Sequence, residues 1–142
     1  MDGQVWRYQV RIDLEDGAAE AARRDQRDPS LGPLPAILER HRAVAKCQYD
    51  AFAEFVAGAE RAGEQDSSLY RWTKATIEDP AKQAKFLKSF TLYVEGAEVY
   101  AKERADALEA ELRPLVGGGL VTRLNKYDTN PANNPQAPAQ YR

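Results

Sequence analysis

The chain reads as a mainly α protein: an antiparallel hairpin of two long helices, short accessory helices packed on it, and a minor β element. Three observations carry that expectation. Apolar residues recur at three-four spacing over about residues 35–62 and again over about residues 80–113, the mark of amphipathic helices. The segment between them, "GEQDSS" and the short stretch that follows, can reverse the chain direction, which suits antiparallel packing. The opening stretch "WRYQVRIDL" instead alternates with a period of two, apolar at Trp6, Tyr8, Val10, Ile12 and Leu14 and polar at Arg7, Gln9, Arg11 and Asp13. That is a strand with one wet and one buried face, expected over residues 5–14.

After the strand, Asp16 is placed to cap an Ala-rich helix over about residues 17–25. Pro29, Pro33 and Pro35 then mark a rigid connector, with Pro33 or Pro35 in the first turn of the next helix. The first long helix is predicted from Pro35 to Ala62. Its stripe includes Leu34, Ile37, Leu38, His41, Val44, Ala45, Gln48, Phe52 and Phe55. Gly63 suits its C-terminal cap. "SLYRWTKATIED" follows as a short helix, and Asp79-Pro80 restarts the chain with a cap and a first-turn proline. The last long helix is predicted from Pro80 to Arg113 along a seam of Leu87, Phe90, Val94, Ala97, Ala101, Ala105, Leu108 and Leu112. Each long helix would measure on the order of 40–50 Å at 1.5 Å per residue. Gly117 to Gly119 end it. "LVTRLN", residues 120–125, is the only internal candidate for a second strand. The predicted organisation is one helical domain over residues 1–125 and a Pro/Asn-rich extended tail over residues 126–142.

Composition narrows the function classes. A length of 142 residues suits one domain with a real core, and 43% hydrophobic with 30% charged residues is ordinary for a globular protein. A net charge of -2, with basic clusters interspersed with acids, argues against nucleic acid as a partner. No run approaches the roughly 20 apolar residues of a membrane helix, and the N-terminus lacks a signal-peptide pattern. A single cysteine excludes an internal disulfide and suits a reducing compartment, so the expectation is a bacterial cytoplasmic protein.

No catalytic, cofactor or metal motif stands above its structural explanation. His41, the one histidine, lies on the apolar stripe and reads as a polar group at a helix interface. Cys47 is six residues on, which at about 100° per residue puts it on another face, so no dyad forms within one helix. Tyr70 and Lys74 have the Tyr-x-x-x-Lys spacing of short-chain dehydrogenases, but no glycine-rich strand-to-helix turn accompanies them, and the match reads as chance. No catalytic residues, no cofactor and no metal site are therefore expected.

One feature exceeds this background. Phe86, Tyr93 and Tyr100 recur every seven residues beside Phe90 on the last helix, leaving it apolar around most of its circumference. A two-helix hairpin cannot bury all of that. The expected function is a non-enzymatic interaction protein, an accessory or regulatory subunit of a larger bacterial assembly, with a protein partner or a second copy bound through three features. These are the aromatic face (Phe86, Phe90, Tyr93, Tyr100), an open edge of the first strand (Trp6, Tyr8, Val10) and the tail (Tyr127, Tyr141). The alternative is a small ligand-binding bundle or enzyme with an aromatic-lined pocket between helices, formed by Trp72, Phe90, Tyr93 and Tyr100 with Tyr70, Lys74 and His41 as polar candidates.

Overall fold

The computed structural model describes residues 7–129. The protein is a mixed α/β fold built on a four-stranded antiparallel sheet, and the long-helix hairpin does not exist. Strand β1 (Tyr8–Leu14) leads through α1 (Asp16–Arg24) and α2 (Leu34–Arg40) to β2 (Ala43–Cys47). Helices α3 (Gln48–Ala62), α4 (Ser68–Glu78) and α5 (Pro80–Phe86) precede β3 (Ser89–Val94). Helix α6 (Lys102–Leu112) then leads to β4 (Val121–Asp128). The spatial order is β2-β3-β1-β4, with every neighbouring pair antiparallel. That is the split β-α-β, ferredoxin-like arrangement, here with α3, α4 and α5 inserted between β2 and β3.

Both predicted long helices are interrupted by strands. The first breaks at His41 and Arg42, where Arg42 adopts φ 52° and turns the chain into β2. Ala43, Ala45 and Cys47 then face the core while Val44, at the sheet edge, is 54% exposed. The second breaks after Phe86, and "SFTLYV" is extended. Its β-branched and aromatic residues favour a pleated, half-buried surface. A two-residue turn ends it. Glu95 (φ 51°) and Gly96 (φ 81°) are both left-handed, as a type I′ turn requires, and Val94 and Ala97 exchange backbone hydrogen bonds of 2.9 Å across it.

The opening strand and its predicted partner both form. β4 pairs with β1 from Tyr8↔Asp128 to Leu14↔Val121, running three residues past the boundary at 125 assigned to the domain. The expectation of an open edge on β1 is overturned, however, because β3 covers the other side from Val10↔Leu92 to Asp13↔Ser89. A proline at Val10 would therefore disrupt the centre of the sheet and unfold the chain rather than spare it. Among the described residues the sheet's edges are β2 and β4. The Gln26 side chain closes part of the β2 edge, donating to Ala43 O at 3.2 Å and accepting from Ala45 N at 2.8 Å.

The core lies on one face of the sheet. Val10, Ile12, Leu14, Phe90 and Leu92 are fully buried there against Leu34 and Leu38 of α2, Leu108 and Leu112 of α6, and the alanine face of α1. Local caps match the sequence with one shift: Glu15, not Asp16, caps α1 by accepting from Ala18 N at 2.6 Å. Asp79 caps α5 by accepting from Ala81 N at 3.0 Å, with Pro80 in the first turn. Gly63 closes α3 at φ 72°. A second, smaller cluster of Val56, Ala59 and Tyr70 binds α3 to α4. Among the described residues no helix is long and apolar enough to cross a membrane.

Candidate functional site

The opposite face of the sheet carries the polar residues of the alternating pattern. Gln9, Arg11 and Asp13 lie on it from β1, and Ser89, Thr91 and Tyr93 from β3. Gln9, Ser89 and Thr91 are nevertheless buried. Helices α3, α4 and α5 face this surface across a cleft of about 750 Å3. Gln9, Arg11 and Tyr127 line it from the sheet, Phe52, Trp72 and Phe86 from the helices. Phe52 and Phe86 meet edge to face with centroids 5.1 Å apart.

Arg11 sits in this wall with its geometry set by neighbours. Its Nε donates to Gln9 Oε1 at 2.5 Å, and its guanidinium lies 4.7 Å from the centroid of the Tyr127 ring. Gln9 is held in turn, its Nε2 donating to Glu98 O at 3.3 Å. Among the described residues no carboxylate lies within ion-pair range of Arg11. Gln48 and Thr73 line the same cleft, only 7% and 9% exposed, and their side chains make no hydrogen bond among the described residues. Buried amides and hydroxyls are rarely left so, because an unpaired polar group costs about 1–3 kcal/mol.

The fork at the end of the cleft depends on Tyr100. Beyond Val10, strands β1 and β3 part, and the segment after the Glu95–Gly96 turn enters between them. Tyr8 and Tyr100 exchange backbone hydrogen bonds of 2.7 and 2.8 Å. The Tyr100 hydroxyl accepts from Val10 N at 3.0 Å and donates to Leu92 O at 2.8 Å, bridging the two strands. Burial pushes the phenol pKa above its ordinary value, which keeps it a neutral donor.

The aromatic residues singled out from the sequence do not form one face. Phe90 and Tyr100 are core residues, at 0% and 4% exposure. Tyr93 is half-buried on the polar sheet face, paired across from Val44. Tyr8 is partly buried against the core and Val10 is fully buried. Phe86 and Tyr127 reach the cleft. Trp6 and Tyr141 lie outside the described residues. The pocket expected from Trp72, Phe90, Tyr93 and Tyr100 keeps only Trp72; the cleft runs between helices and sheet, not between helices. Gln9, Arg11, Gln48 and Thr73 were not anticipated as site residues. Arg11 occupies the wet face of a strand, which reads as solvent-facing until the fold places helices opposite it.

The remaining candidates hold structure together. Tyr70 Oη and Lys74 Nζ converge on Glu60 Oε2, at 2.7 and 2.9 Å, and fasten α4 to α3. Cys47 is buried, its thiol donating to Phe86 O at 3.4 Å, and burial pushes its pKa up, away from nucleophilic thiolate. Among the described residues no three His, Cys, Asp or Glu side chains cluster as a metal site.

His41 joins α2 to α6 through Glu111, with Nε2 and Oε2 2.9 Å apart, and Arg40 reaches the same carboxylate at 3.3 Å. The hydrogen bond to His41, then Arg40, holds the Glu111 carboxyl below the usual range. A carboxylate with a lowered folded-state pKa adds stability above its unfolded value of about 4.3, and that contribution is lost as pH falls through the folded value. Glu111→Gln should therefore be less stable than the parent at pH 7, with the two urea midpoints converging below about pH 4. A gap that persists undiminished at pH 3 would assign the loss to packing instead.

No family model, curated protein or solved structure matches the chain, so the functional reading stands on this geometry.

Proposed function

We propose that the chain is a small-molecule binding domain whose ligand enters the cleft between the polar face of the sheet and helices α3, α4 and α5. The observation that carries this is the convergence on one cleft of aromatic surface with Arg11, Gln48 and Thr73, polar groups that are buried or half-buried and, among the described residues, keep donors or acceptors to spare. A volume of about 750 Å3 is in the range of small-molecule sites, which combine mostly apolar lining with a few placed polar groups. The sheet supplies a rigid wall. Helices α3 and α4 opposite it share a small core of their own, separate from the main one. The fold arrangement itself argues for no particular function. An interaction subunit fits less well, because Phe90 and Tyr100 are spent in the core and β1 is paired on both sides.

Anilinonaphthalene sulfonate, an amphipathic aromatic anion, tests the reading. The folded chain should bind it saturably at one site, and Trp72→Ala should weaken binding about tenfold, since stacking on one aromatic face is worth on the order of 1 kcal/mol or more. Circular dichroism should show both proteins folded. Absence of saturable binding, or equal binding by a folded Trp72→Ala variant, would refute the cleft as a ligand site.

A further inference from the structure

Building on that reading of the cleft, we propose that its ligand is a monocarboxylate bearing a planar ring, with the carboxylate taken by Arg11. A guanidinium presents five N–H donors in a rigid fork that matches a carboxylate two bonds at a time. In Arg11 the Nε donor is committed to Gln9 and the guanidinium lies 4.7 Å from the Tyr127 ring centroid, while the terminal nitrogens have no acceptor among the described residues. The side chain is thus oriented before any ligand arrives, and the Gln9–Glu98 contact behind it keeps the orientation. A half-buried cation whose terminal nitrogens are unfilled among the described residues is the feature an oxyanion would complete.

The charge of the surroundings selects the kind of oxyanion. Arg11 and Lys85 line the cleft together with Glu98 and Asp128, so cations and carboxylates are balanced. A single negative charge can be matched at Arg11. A phosphate monoester, carrying nearly two charges at neutral pH, would bring its second charge into a cleft that also holds Glu98, with the point charge of Lys85 rather than a second fork to receive it. The ring follows from Trp72 and the edge-to-face Phe52–Phe86 pair, which line the helical side of the cleft with aromatic surface against which a planar ring can pack. Gln48 and Thr73, buried there without a side-chain hydrogen bond among the described residues, can each bond a polar ring substituent such as an indole N–H or a phenol hydroxyl.

Calorimetric titration of the intact chain with indole-3-acetate, its neutral isostere indole-3-acetamide, and phenyl phosphate tests the assignment. The acid should bind about 10–100-fold more tightly than the amide, the gain expected of a charge-assisted hydrogen-bond pair. Phenyl phosphate should bind more weakly than the acid. Arg11→Gln should remove the preference for acid over amide, and Arg11→Lys should keep only part of it. Equal binding of acid and amide by the parent chain overturns the proposal without recourse to any variant. So does tighter binding of phenyl phosphate, or a full acid preference in a folded Arg11→Gln protein. If anilinonaphthalene sulfonate binds in a Trp72-dependent manner while indole-3-acetate does not bind, the carboxylate assignment fails and the cleft reading stands. If neither binds, the cleft reading itself fails.

Discussion

Replacing Phe90 with Ala should bring the protein close to unfolding. Phe90 is fully buried at the centre of the sheet, in register with Ile12 on one side and Cys47 on the other. Truncation removes its apolar surface from the core and leaves a cavity that rigid strands on both sides cannot close. The expected loss is about 3–5 kcal/mol. Domains of this size have stabilities of about 5–15 kcal/mol, so the variant would retain a small margin or none. Urea denaturation followed by far-ultraviolet circular dichroism measures it. The sequence alone admitted a second outcome, in which Phe90 anchors a partner and its truncation spares the monomer. Wild-type stability of Phe90→Ala would support that outcome and contradict the placement of Phe90 in the core.

Tyr100→Phe should cost more than the loss of one oxygen suggests. The hydroxyl bridges Val10 N and Leu92 O at the point where β1 and β3 part, and both residues are fully buried. Without it, a backbone donor and a backbone acceptor lose this partner together, at about 1–3 kcal/mol for each group left unsatisfied. The phenyl ring still fills its space, so the effect isolates hydrogen bonding from packing. Denaturation midpoints should fall with little change in the slope against urea, because the surface exposed on unfolding is almost the same. Amide exchange at Val10 should accelerate relative to Ile12, which tests the bridge directly. A variant as stable as the parent, with Val10 still protected, would mean that the strands close on each other and make the bond without the hydroxyl.

Several elements were legible in the residues themselves. Alternation unbroken from Trp6 to Leu14 identifies a half-buried strand, and β1 runs from Tyr8 to Leu14 with Val10, Ile12 and Leu14 inward. Asp79-Pro80 and Gly63 mark helix ends through local chemistry, a side-chain acceptor, a ring without an N–H and a left-handed backbone, so they survive any change of tertiary context. The Leu120–Asn125 stretch, one of two candidate partners for the opening strand, alternates with a period of two and falls within β4 from Val121 onward.

The two long helices failed for a physical reason. Over five or six residues, apolar positions at i, i+3 and i+4 overlap those at i, i+2 and i+4, and alanine fits either. Ala43 to Cys47 satisfy both patterns, as do Phe90 and Val94 within "SFTLYV". The β-forming residues of that stretch and the following Glu95-Gly96 turn were the signals that could have separated them.

By itself, then, the sequence determined the β1 strand, the helix ends at Gly63 and Asp79-Pro80 and the supply of aromatic residues, because each rests on contacts between near neighbours or on a strict period. Only the tertiary structure decided that β1 lies inside a sheet. A central strand needs partners on both sides, and β3, some 80 residues away, supplies the second. The same pairing decides the site. Arg11 becomes a cleft residue only because the segment between β2 and β3 returns as three helices facing the sheet's polar side, an arrangement set by long-range packing and carried by no local pattern.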